Sequence, residues 1–398
     1  MARTILHLDL DAFFCAVEEL HDPTLSGKAF AVGGQPASRG VVASCSYPAR
    51  LCGVHSAMPM ARAVRLCPEL LVIPPRFQEY SHQSQLVMDR LNQLSPLVEQ
   101  VSIDEAFIDT SDLPTLGADI AHKLQMEINQ DLHLPCSIGV ASNKLVAKIA
   151  NDVGKSSAKG KFPPNAITVV PNGKEQEFLA PLPVGRLWGV GPKTAHRLNR
   201  LGIATIADLT QFPEKDLVRI FGKNGFYINR HARGIDDSPV ITSHEMKSIS
   251  QETTFAVDIN EFAELHRTIR SLAETVGKRL RKHQLVGSTI KIKLRWSNFT
   301  TLTRQTKLTA PTDLDAEIIL AAINLFDKTW IHGKPVRLIG VGISGLSSSF
   351  HQLSLWDQNS YSKNDKERQL QAALDVLRER YGDSAIQRAS MIDPKHPH

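Results

Sequence analysis

The most constraining feature of the sequence is a short apolar segment near its start that also carries acidic residues. Residues 5–11 read Ile-Leu-His-Leu-Asp-Leu-Asp, so leucines alternate with His7, Asp9 and Asp11. A period of two predicts a β-strand with one apolar face. Carboxylates beside a packed apolar layer are costly unless water, a counter-charge or a metal compensates them. The segment therefore commits the chain to a sheet-containing fold with polar groups beside its core.

Length and composition narrow the class of protein. The 398 residues exceed one ordinary core, so we expect two to four domains. Hydrophobic residues at 42% and charged residues at 22% are typical of a soluble globular protein. No apolar run approaches the roughly 18 residues of a membrane span, and the N-terminal residues lack a signal-peptide core. The net charge of +5 gives a weak indication of a polyanionic partner.

The cysteine pattern bears on the compartment. Five cysteines without regular spacing argue against a disulfide framework. Cys45 and Cys52 are too far apart for a CxxC zinc knuckle, and no His-rich segment accompanies them. We therefore expect reduced thiols and a cytoplasmic location.

Secondary-structure patterns indicate a mixed N-terminal part. A helix from about Ala12 to Leu20 follows the first strand, and residues 29–32 suggest a second strand. Residues 98–108 are typical of a hairpin with residues 103–106 near its tip. Ser142 is expected to cap a helix that continues through Ala150. Strands and helices thus mix over the first 165 residues, which indicates an α+β domain.

The rest of the chain separates into a helical module, a linker, a second mixed region and a tail. Short helices separated by Gly and Pro are predicted for residues 183–234, followed by a polar link at 235–246. The next region, ending near Gly345, has the order strand, helix, strand, strand, helix, strand. A serine-rich stretch at 347–349 then leads to a charged, helical tail that reaches Arg388.

A second acidic motif lies in the predicted hairpin, where Asp104 and Glu105 are adjacent. Neighbouring side chains on a regular strand point to opposite faces, so these two can converge only at a turn or bulge, which a hairpin provides. Magnesium prefers carboxylate oxygens together with substrate phosphates, and paired ions sit about 3.5–4 Å apart. Asp9 with Asp104 and Glu105 can supply such carboxylates. Taken singly, each is more often an ordinary edge or turn acid.

Four short motifs follow one another in a fixed order. They are Asp-Leu-Asp-Ala-Phe-Phe at 9–14, Ser-Tyr-Pro-Ala-Arg at 46–50, Gly-Val-His-Ser-Ala-Met-Pro at 53–59 and Ser-Ile-Asp-Glu-Ala at 102–106. Together they resemble the signature of the Y-family (translesion) DNA polymerases, and of their bacterial members in particular. The similarity covers the chain to about residue 345, and four ordered motifs are not expected by chance.

The resemblance implies an α+β multidomain, right-hand-like polymerase. Such a fold has a palm, small fingers, a helical thumb with a helix-hairpin-helix and an α/β little-finger domain. The implied bounds are 1–10 and 76–165 for the palm, 11–75 for the fingers, 166–235 for the thumb, 236–246 for a linker, 247–346 for the little finger and 347–398 for a tail.

The resemblance also implies the metal ligands. Asp9 and Asp104 would bridge two Mg²⁺ ions in the active site, and Glu105 would serve the ion that activates the primer 3′-hydroxyl. The carbonyl of Leu10 would bind the ion on the nucleotide side. Asp11 shares the periodicity of Asp9, but the family gives it no clear metal role.

Further matches concern the incoming deoxynucleoside triphosphate. Tyr47 and Arg50 match residues that contact the triphosphate, and Arg offers a planar fork suited to phosphate. Ser44, two residues after a strand-like pair, matches a hydroxyl position with the same task. Lys155, expected just after a helix that ends near residues 151–152, matches the palm lysine. Alone, Tyr47 would be interpreted as a half-buried tyrosine beside proline.

Two adjacent aromatic residues have different expected roles. Phe14 aligns with the steric gate, a ring that leaves no room for a ribose 2′-hydroxyl. Phe13 is expected to be a core residue whose backbone can still face the triphosphate.

Two features predict contacts with primer-template DNA. Gly189 and Gly191, with Pro192 opening a helix and Lys193 on it, resemble a helix-hairpin-helix that binds phosphates, although a plain helix-helix turn has the same pattern. In residues 289–296, apolar side chains alternate with Lys291, Lys293 and Arg295 and predict a basic strand face, which can also be an ordinary solvated face. Phosphate contacts position DNA without reading its sequence.

The segment after the serine-rich stretch resembles a bacterial sliding-clamp-binding motif. It contains Gln352, Leu353, Leu355 and Trp356, apolar anchors suited to a shallow groove. The alternative is a short strand added to the preceding domain.

Together these features predict a monomeric polymerase without a membrane association. It would add deoxynucleotides to a primer 3′-hydroxyl on a template, with low fidelity, and serve translesion synthesis in DNA repair, with DNA and a sliding clamp as partners. A catalytically silent DNA- and clamp-binding adaptor on the same scaffold is the alternative, and the three acids argue against it. A nucleotidyl cyclase with a similar two-metal site is a third hypothesis, which the basic strand and the glycine hairpin disfavour.

Overall fold

The structure of the protein is a computed structural model that describes residues 3–157, 160, 162–348, 361–382 and 386. The chain divides into two units, residues 1–244 and residues 245–398. Each unit has its own sheets and its own hydrophobic core. Within the described ranges, we find no helix with both the length and the apolar character that a bilayer span demands.

The described part of the first unit contains a five-stranded and a three-stranded sheet. Its strands are β1 (Ile5–Leu10), β2 (Phe30–Gly33), β3 (Val42–Cys45), β4 (Leu71–Ile73), β5 (Val98–Gln100), β6 (Glu105–Asp109), β7 (Cys136–Ala141) and β8 (Ile167–Val169). Its helices are α1 (Phe13–His21), α2 (Tyr47–Leu51), α3 (Met60–Leu66), α4 (Phe77–Leu94), α5 (Gly117–Asp131), α6 (Lys144–Ser157), α7 (Glu175–Leu179), α8 (Pro192–Asn199), α9 (Ile206–Gln211), α10 (Glu214–Phe221) and α11 (Lys223–Ala232).

The strand β1, predicted from the alternation of leucines, lies at the centre of the larger sheet, which has the order β5-β6-β1-β7-β8. Both neighbours of β1 run antiparallel to it, and β8 runs parallel to β7. Leu6, Leu8 and Leu10 are buried in a core shared with α1, α4 and α5. Because side chains alternate along a strand, His7 and Asp9 point to the opposite face, where α6 packs.

A glycine on β7 sets how closely α6 approaches that face. Gly139 is the pairing partner of His7. A Cβ atom at position 139 would lie 2.0 Å from the carbonyl oxygen of Ala147 and 2.6 Å from the backbone nitrogen of Asn151. The absence of a side chain lets the helix backbone lie directly on the sheet. Asn151 can therefore donate a hydrogen bond to Nδ1 of His7, at 3.0 Å.

Two predicted details of α6 are wrong. The residue that caps the helix is Asn143, whose side-chain oxygen accepts from the backbone N–H of Val146 at 3.0 Å, whereas Ser142 donates to Glu175 instead. The helix also continues to Ser157. Within this longer helix, Gly154 permits close packing on β8, because a Cβ there would lie 2.2 Å from Oγ1 of Thr168.

The smaller sheet has the order β3-β2-β4, with β2 antiparallel to β3 and parallel to β4. The predicted strand at 29–32 corresponds to β2. Ser44 was expected to follow a strand but lies within β3, because that strand starts only at Val42. Helices α2 and α3 contribute Ala49, Met60 and Ala63 to the core of this sheet.

The helical module predicted for residues 183–234 comprises α8–α11. Leu198, Ile206 and Leu217 from three of its helices are fully buried. Pro192 occupies the first turn of α8, as predicted. Gly189, with φ +92°, makes the turn before that helix in a conformation that L side chains rarely adopt.

The described part of the second unit is built on one antiparallel sheet with the order β11-β10-β12-β9. Its elements are β9 (Ser248–Ile259), α12 (Phe262–Lys282), β10 (Leu285–Trp296), β11 (Thr301–Thr312), α13 (Asp315–Thr329), β12 (Val336–Ser348) and α14 (Tyr361–Tyr381). The order up to β12 matches the predicted one. Ile290, Ile292, Leu294 and Trp296 of β10 are buried with residues of α12 and α13.

The tail helix is shorter than predicted. We expected helix up to Arg388, but α14 ends at Tyr381 and Gly382 follows with φ +94°. A glycine in this conformation stops a helix, and its N–H bonds to the carbonyl of Arg378 at 2.9 Å.

Candidate active site

The register of the larger sheet places two of the predicted acids side by side. Asp9 on β1 is the direct pairing partner of Glu105 on β6. Directly opposed residues of an antiparallel pair share a face, with Cβ atoms about 4.5–5.5 Å apart. Asp104 lies in the turn just before β6, and its carbonyl oxygen accepts from the backbone N–H of Leu10 at 3.0 Å. The structure therefore brings the two acidic motifs together.

The predicted hairpin is present as β5 and β6, and Ser102 organises its turn. The hydroxyl oxygen of Ser102 accepts from the backbone N–H groups of Asp104, at 3.2 Å, and of Glu105, at 3.0 Å. The same hydroxyl donates to the carboxylate of Asp104 at 2.6 Å. These bonds hold Asp104 and Glu105 at the junction of the turn and β6. Adjacent side chains need not point to opposite faces there, so both acids can lie near Asp9.

Two lysines of α6 bind the acids. Nζ of Lys155 lies 2.6 Å from Asp9, and Nζ of Lys148 lies 3.0 Å from Glu105. The two lysines are seven residues apart and so share one face of the helix. Lys155 was expected just after a helix; it lies in the last turn of α6, because the helix runs on to Ser157.

The pKa of Asp9 responds to this crowded setting. Burial, opposed by Lys155 and supported by the charges of Glu105 and Asp104, raises this pKa from 3.8 to about 7. The carboxylate thus gains from any added cation. A set of carboxylate oxygens, partly exposed and short of positive charge, fits a hard divalent cation such as Mg²⁺.

Sequence reasoning missed the polar residues behind the acids. His7 is buried, with Nε2 4.0 Å from Glu105 and 3.5 Å from Nζ of Lys148. Burial, with the charges of Lys148 and Lys155, holds its pKa well below the ordinary value, so His7 is neutral. The available signal was the spacing of Lys148, Asn151 and Lys155, which lie on one helix face.

Asp11 has a different environment from Asp9. Its buried carboxylate accepts from the hydroxyl of Ser137 at 2.9 Å and from the backbone N–H of Asn165 at 3.0 Å. Lys155 lies 3.1 Å away. Asp11 is therefore occupied by protein donors and shares the ammonium group of Lys155 with Asp9.

Besides Lys155 of α6, the residues predicted to contact the triphosphate come from β3 and α2. Arg50 lies over the ring of Tyr47, with 4.6 Å between its Cζ atom and the ring centroid. The hydroxyl of Tyr47 is buried and has no hydrogen-bond partner among the described residues. Burial, followed by the charge of Asp11, raises its pKa to about 12, so the hydroxyl keeps its proton and can donate. Ser44 is buried nearby, 3.5 Å from the thiol of Cys15.

Of the two adjacent phenylalanines, Phe13 was expected to be a core residue, and the two differ in burial. Phe13 is a core residue, whereas Phe14 is half-buried and stacks on Tyr80 at 4.2 Å with 13° between the rings. The ring of Phe77 meets Phe14 edge-on at 6.1 Å. The partly exposed ring of Phe14 is thus held in place by two neighbouring aromatic rings.

The predicted DNA contacts lie in both units. In the first unit, Gly191 caps α8 and Lys193 follows in its first turn. In the second, Lys291 is exposed, Lys293 pairs with Glu252 at 2.8 Å, and Arg295 donates to Thr301 at 2.9 Å. The clamp motif, Gln352, Leu353, Leu355 and Trp356, lies outside the described residues.

Comparison with known proteins identifies the family. The model of the impB/mucB/samB family matches residues 8–152, and the model of its C-terminal domain matches residues 246–355. The model of the family's HHH motif matches residues 172–203, which contain Gly189, Gly191 and Lys193. This match confirms the predicted helix-hairpin-helix.

Relatives cover nearly the whole chain. A DNA polymerase IV of Desulfatibacillum aliphaticivorans is 40% identical over 98% of this chain and 96% of its own length. A solved Y-family DNA polymerase chimera of Dbh and Dpo4 superposes with a TM-score of 0.77 at 25% identity, over 87% of this chain and 99% of its own. The insertion ternary complex of Dbh DNA polymerase does so with a TM-score of 0.61 at 26% identity, over 87% and 99%. These matches confirm the predicted right-hand-like polymerase fold, and the chain belongs to the impB/mucB/samB family of Y-family DNA polymerases.

Proposed function

We propose that this chain is a template-directed polymerase that extends a primer 3′-hydroxyl by two-metal-ion catalysis, with low fidelity, in translesion synthesis. DNA-directed DNA polymerase activity is that of its family. The observation that carries the proposal is the pairing of Asp9 with Glu105 next to Asp104. Three carboxylates from two distant segments at one strand end are what a pair of divalent cations needs.

Asp9 and Asp104 would hold both Mg²⁺ ions, Glu105 the ion at the primer, and the carbonyl of Leu10 the ion at the nucleotide. When bound, Mg²⁺ supplies electrostatic stabilisation of the attacking and leaving oxygens. Without it, Lys148 and Lys155 hold two of the acids in place and reduce their mutual repulsion. The residues are thus positioned before the substrate arrives, which lowers the reorganisation that catalysis requires.

In the reaction, the primer 3′-hydroxyl loses its proton to solvent and its oxygen bonds to the α-phosphorus. The bond between that phosphorus and the oxygen bridging to the β-phosphate breaks, and pyrophosphate leaves with that oxygen. Tyr47, whose hydroxyl has no partner among the described residues, would donate a hydrogen bond to a phosphate oxygen. Arg50, Ser44 and Lys155 would supply further positive charge and donors to the triphosphate. Their task is positioning and charge stabilisation, which carry most of phosphoryl transfer.

The ring of Phe14 would lie beneath the sugar, and the backbone of Phe13 would face the triphosphate. Because the ring of Tyr80 occupies one face of the Phe14 ring, the Phe14 ring cannot rotate away from the sugar. A 2′-hydroxyl would then collide with the ring, so deoxynucleotides are preferred.

Primer-template DNA would be held through its phosphates. The helix-hairpin-helix offers the N-terminus of α8 with Lys193 beside it, and β10 offers Lys291 and its basic neighbours. The insertion ternary complex among the structural relatives supports the assignment of DNA and nucleotide as ligands. The cytoplasmic location, the monomeric state and the domain bounds stay predictions.

The central test is primer extension with Mg²⁺ on intact and damaged templates. Asp104→Ala should abolish extension on both. Asp112→Ala, an exposed acid outside the cluster, is the control and should extend like the wild type. Extension by the Asp104→Ala variant at the wild-type rate would refute the metal assignment, and an inactive wild type that still binds DNA and clamp would favour the silent adaptor.

A second test concerns the sugar. Phe14→Ala should admit ribonucleotides, whereas Phe77→Ala removes an exposed ring that touches Phe14 and should leave sugar selectivity unchanged. Equal selectivity in wild type and Phe14→Ala would reject the steric gate.

A third test concerns the sliding clamp. Replacing Leu355 and Trp356 by alanine should reduce clamp-stimulated synthesis and spare distributive synthesis. If both fall equally, the segment has another role.

A further inference from the structure

Two cysteines and a glutamate meet beside the three-stranded sheet of the first unit. The Sγ atoms of Cys52 and Cys67 and a carboxylate oxygen of Glu69 all lie within 4.8 Å of one another. None of these residues belongs to the acidic cluster of Asp9, Asp104 and Glu105. Their side chains combine two soft sulfur ligands with one oxygen ligand.

The position of Cys52 is fixed by the end of α2. The N–H of Gly53 bonds to the carbonyl of Arg50 at 2.9 Å, and the N–H of Val54 bonds to that of Ala49 at 3.2 Å. This is the Schellman arrangement, and Gly53 supplies the left-handed residue it requires, with φ +84°. The Cys52 backbone therefore cannot shift without breaking the helix end.

Cys67 and Glu69 are fixed together by the turn that follows α3. The N–H of Cys67 bonds to the carbonyl of Ala63, and the N–H of Leu70 bonds back to the carbonyl of Cys67, both at 3.0 Å. Pro68 occupies the second position of this four-residue turn, where its fixed φ is favoured. The turn leads directly into β4, which pairs with β2. All three side chains thus project from ordered backbone.

The group is accessible from one side. Cys67 is 1% exposed, Cys52 is half-buried, and Glu69 is exposed. A cavity of about 560 Å³ opens beside them and is lined by Lys28, Pro48 and Leu51 together with Cys52 and Glu69. An ion can enter from this cavity, and water can complete its coordination.

We propose that Cys52, Cys67 and Glu69 bind a zinc ion, with water as the fourth ligand. Zinc takes thiolate sulfur and carboxylate oxygen in a tetrahedron, and three protein ligands leave one position open. Magnesium avoids sulfur, so the site is distinct in its metal from the acidic cluster. A disulfide between the cysteines would leave the adjacent carboxylate without a role.

Binding exchanges protons for the metal. Burial and the neighbouring thiol of Cys52 raise the pKa of Cys67 to about 11, so its sulfur carries a proton at neutral pH. Zn²⁺ breaks the two S–H bonds, forms two Zn–S bonds and releases two protons to solvent without any change of oxidation state. The ion would join the end of α2 to the α3–β4 turn, and α2 carries Tyr47 at its first position and Arg50 in its last turn.

The test uses the full chain, stripped of metal, kept reduced with a phosphine and titrated with Co²⁺ as the probe. We expect a thiolate-to-cobalt charge-transfer absorption that saturates at one ion per chain and disappears when Zn²⁺ is added. Cobalt on the carboxylates of the acidic cluster gives no such absorption, because that cluster has no sulfur ligand. The readout is independent of polymerase activity.

The ligands are tested one at a time. Cys52→Ser changes a half-buried position and should weaken Co²⁺ binding at least about tenfold, as should Glu69→Gln. Cys45→Ser is the matched control, since Cys45 lies in the same small sheet, donates to the carbonyl of Val54 and stands outside the group. A wild-type chain without the absorption, or a Cys52→Ser chain that retains it, would overturn the proposal. So would a Cys52–Cys67 disulfide that persists in the phosphine.

Discussion

The two units of the molecule both set acidic side chains against cations, but they use different cations at different depths. In the first unit, Asp9 and Glu105 keep 15% and 24% of their side chains exposed and pair with lysines. In the second, Asp315 is fully buried and pairs with Arg281 at 2.8 Å. The first arrangement leaves the acids available to another ligand, and the second does not.

The second unit shows what a locked arrangement needs. Arg281 donates to Asp315 and to the carbonyl of Asp313 through Nη1, and to Asp375 of α14 through Nε and Nη2. Arg378 of α14 in turn binds the buried Glu274 at 2.9 Å. These forks join α12, α13 and α14 through several fixed bonds, which a lysine cannot form because its ammonium is a point charge.

The comparison also shows that a basic residue can have a purely structural task. Arg281 lies in the basic last turn of α12, and its guanidinium is engaged by acids and a carbonyl. Glu274, which the sequence shows as an isolated acid in a basic stretch, is the partner of Arg378. A basic stretch of sequence therefore contains buried side chains that stabilise the fold as well as exposed side chains that can bind a ligand. Burial distinguishes the two kinds.

The largest expected effect separates the two kinds of acid by activity. Asp9→Asn should lower the rate of primer extension by at least about a thousandfold, because it removes a carboxylate from the metal site. Asp315→Asn should leave the rate per folded molecule within about twofold. Single-turnover extension of both variants measures this, and a similar loss in both would remove the distinction between the units.

The next effect distinguishes the two kinds of acid by their contribution to the free energy of unfolding. Asp315→Ala should lower the free energy of unfolding by about 2–4 kcal/mol, because Arg281 is left buried without that partner. Glu317→Ala, in the same first turn of α13 but less buried, is the control and should cost about 0.5 kcal/mol or less. Urea denaturation provides the measurement. An Asp315→Ala chain as stable as the control would show that Arg281 is satisfied by Asp375 and the Asp313 carbonyl.

A smaller effect concerns pH in the absence of metal. Asp9 has a pKa of about 7 in the folded chain and 3.8 as its ordinary value, so the folded state binds more protons between these limits. The free energy of unfolding should therefore fall as pH rises from about 4 to about 7, by on the order of 1–3 kcal/mol. Asp9→Asn should remove this part of the slope. Urea denaturation in chelator at roughly pH 5 and roughly pH 8 tests it, and an unchanged slope in the variant would contradict it.

The smallest effect concerns the exposed cations of β10. Lys291→Ala should reduce DNA affinity a few-fold and lower the slope of log affinity against log salt by about 1. Lys293→Ala should change the slope less, because Glu252 already neutralises part of its charge. Fluorescence anisotropy over a salt series compares them. Equal slopes for wild type and Lys291→Ala would show that this residue contacts no phosphate.

Local patterns predicted much of the fold. The leucines of β1, the alternation along β10 and the proline at the start of α8 each encode their element within a few residues, and the structure contains all three. The predicted end of α6 near residues 151–152 was wrong. The helix continues to Ser157, and Gly154 within it packs against Thr168, a tertiary contact that no local pattern reveals.

The sequence predicted which residues form the acidic cluster but not which residues contact one another. Motif order identified Asp9, Asp104 and Glu105, while the pairing of Asp9 with Glu105 depends on sheet register between distant segments. The lysine partners were half found: Lys155 by motif, Lys148 not at all, since a lysine on an amphipathic helix gives no local sign of its partner. Asp11 looked equivalent to Asp9 by periodicity, and only its bonds to Ser137 and Asn165 separate the two.

Gly139 gives the active site an unusual mechanical property. Lys148 and Lys155 both lie on α6. The close approach of the Ala147 backbone to Gly139 sets the distance of this helix from the sheet. A displacement of the whole helix away from the sheet would therefore lengthen both ion pairs together. The distance between α6 and the sheet at Gly139, an uncharged position, thus sets how strongly both lysines stabilise the acids.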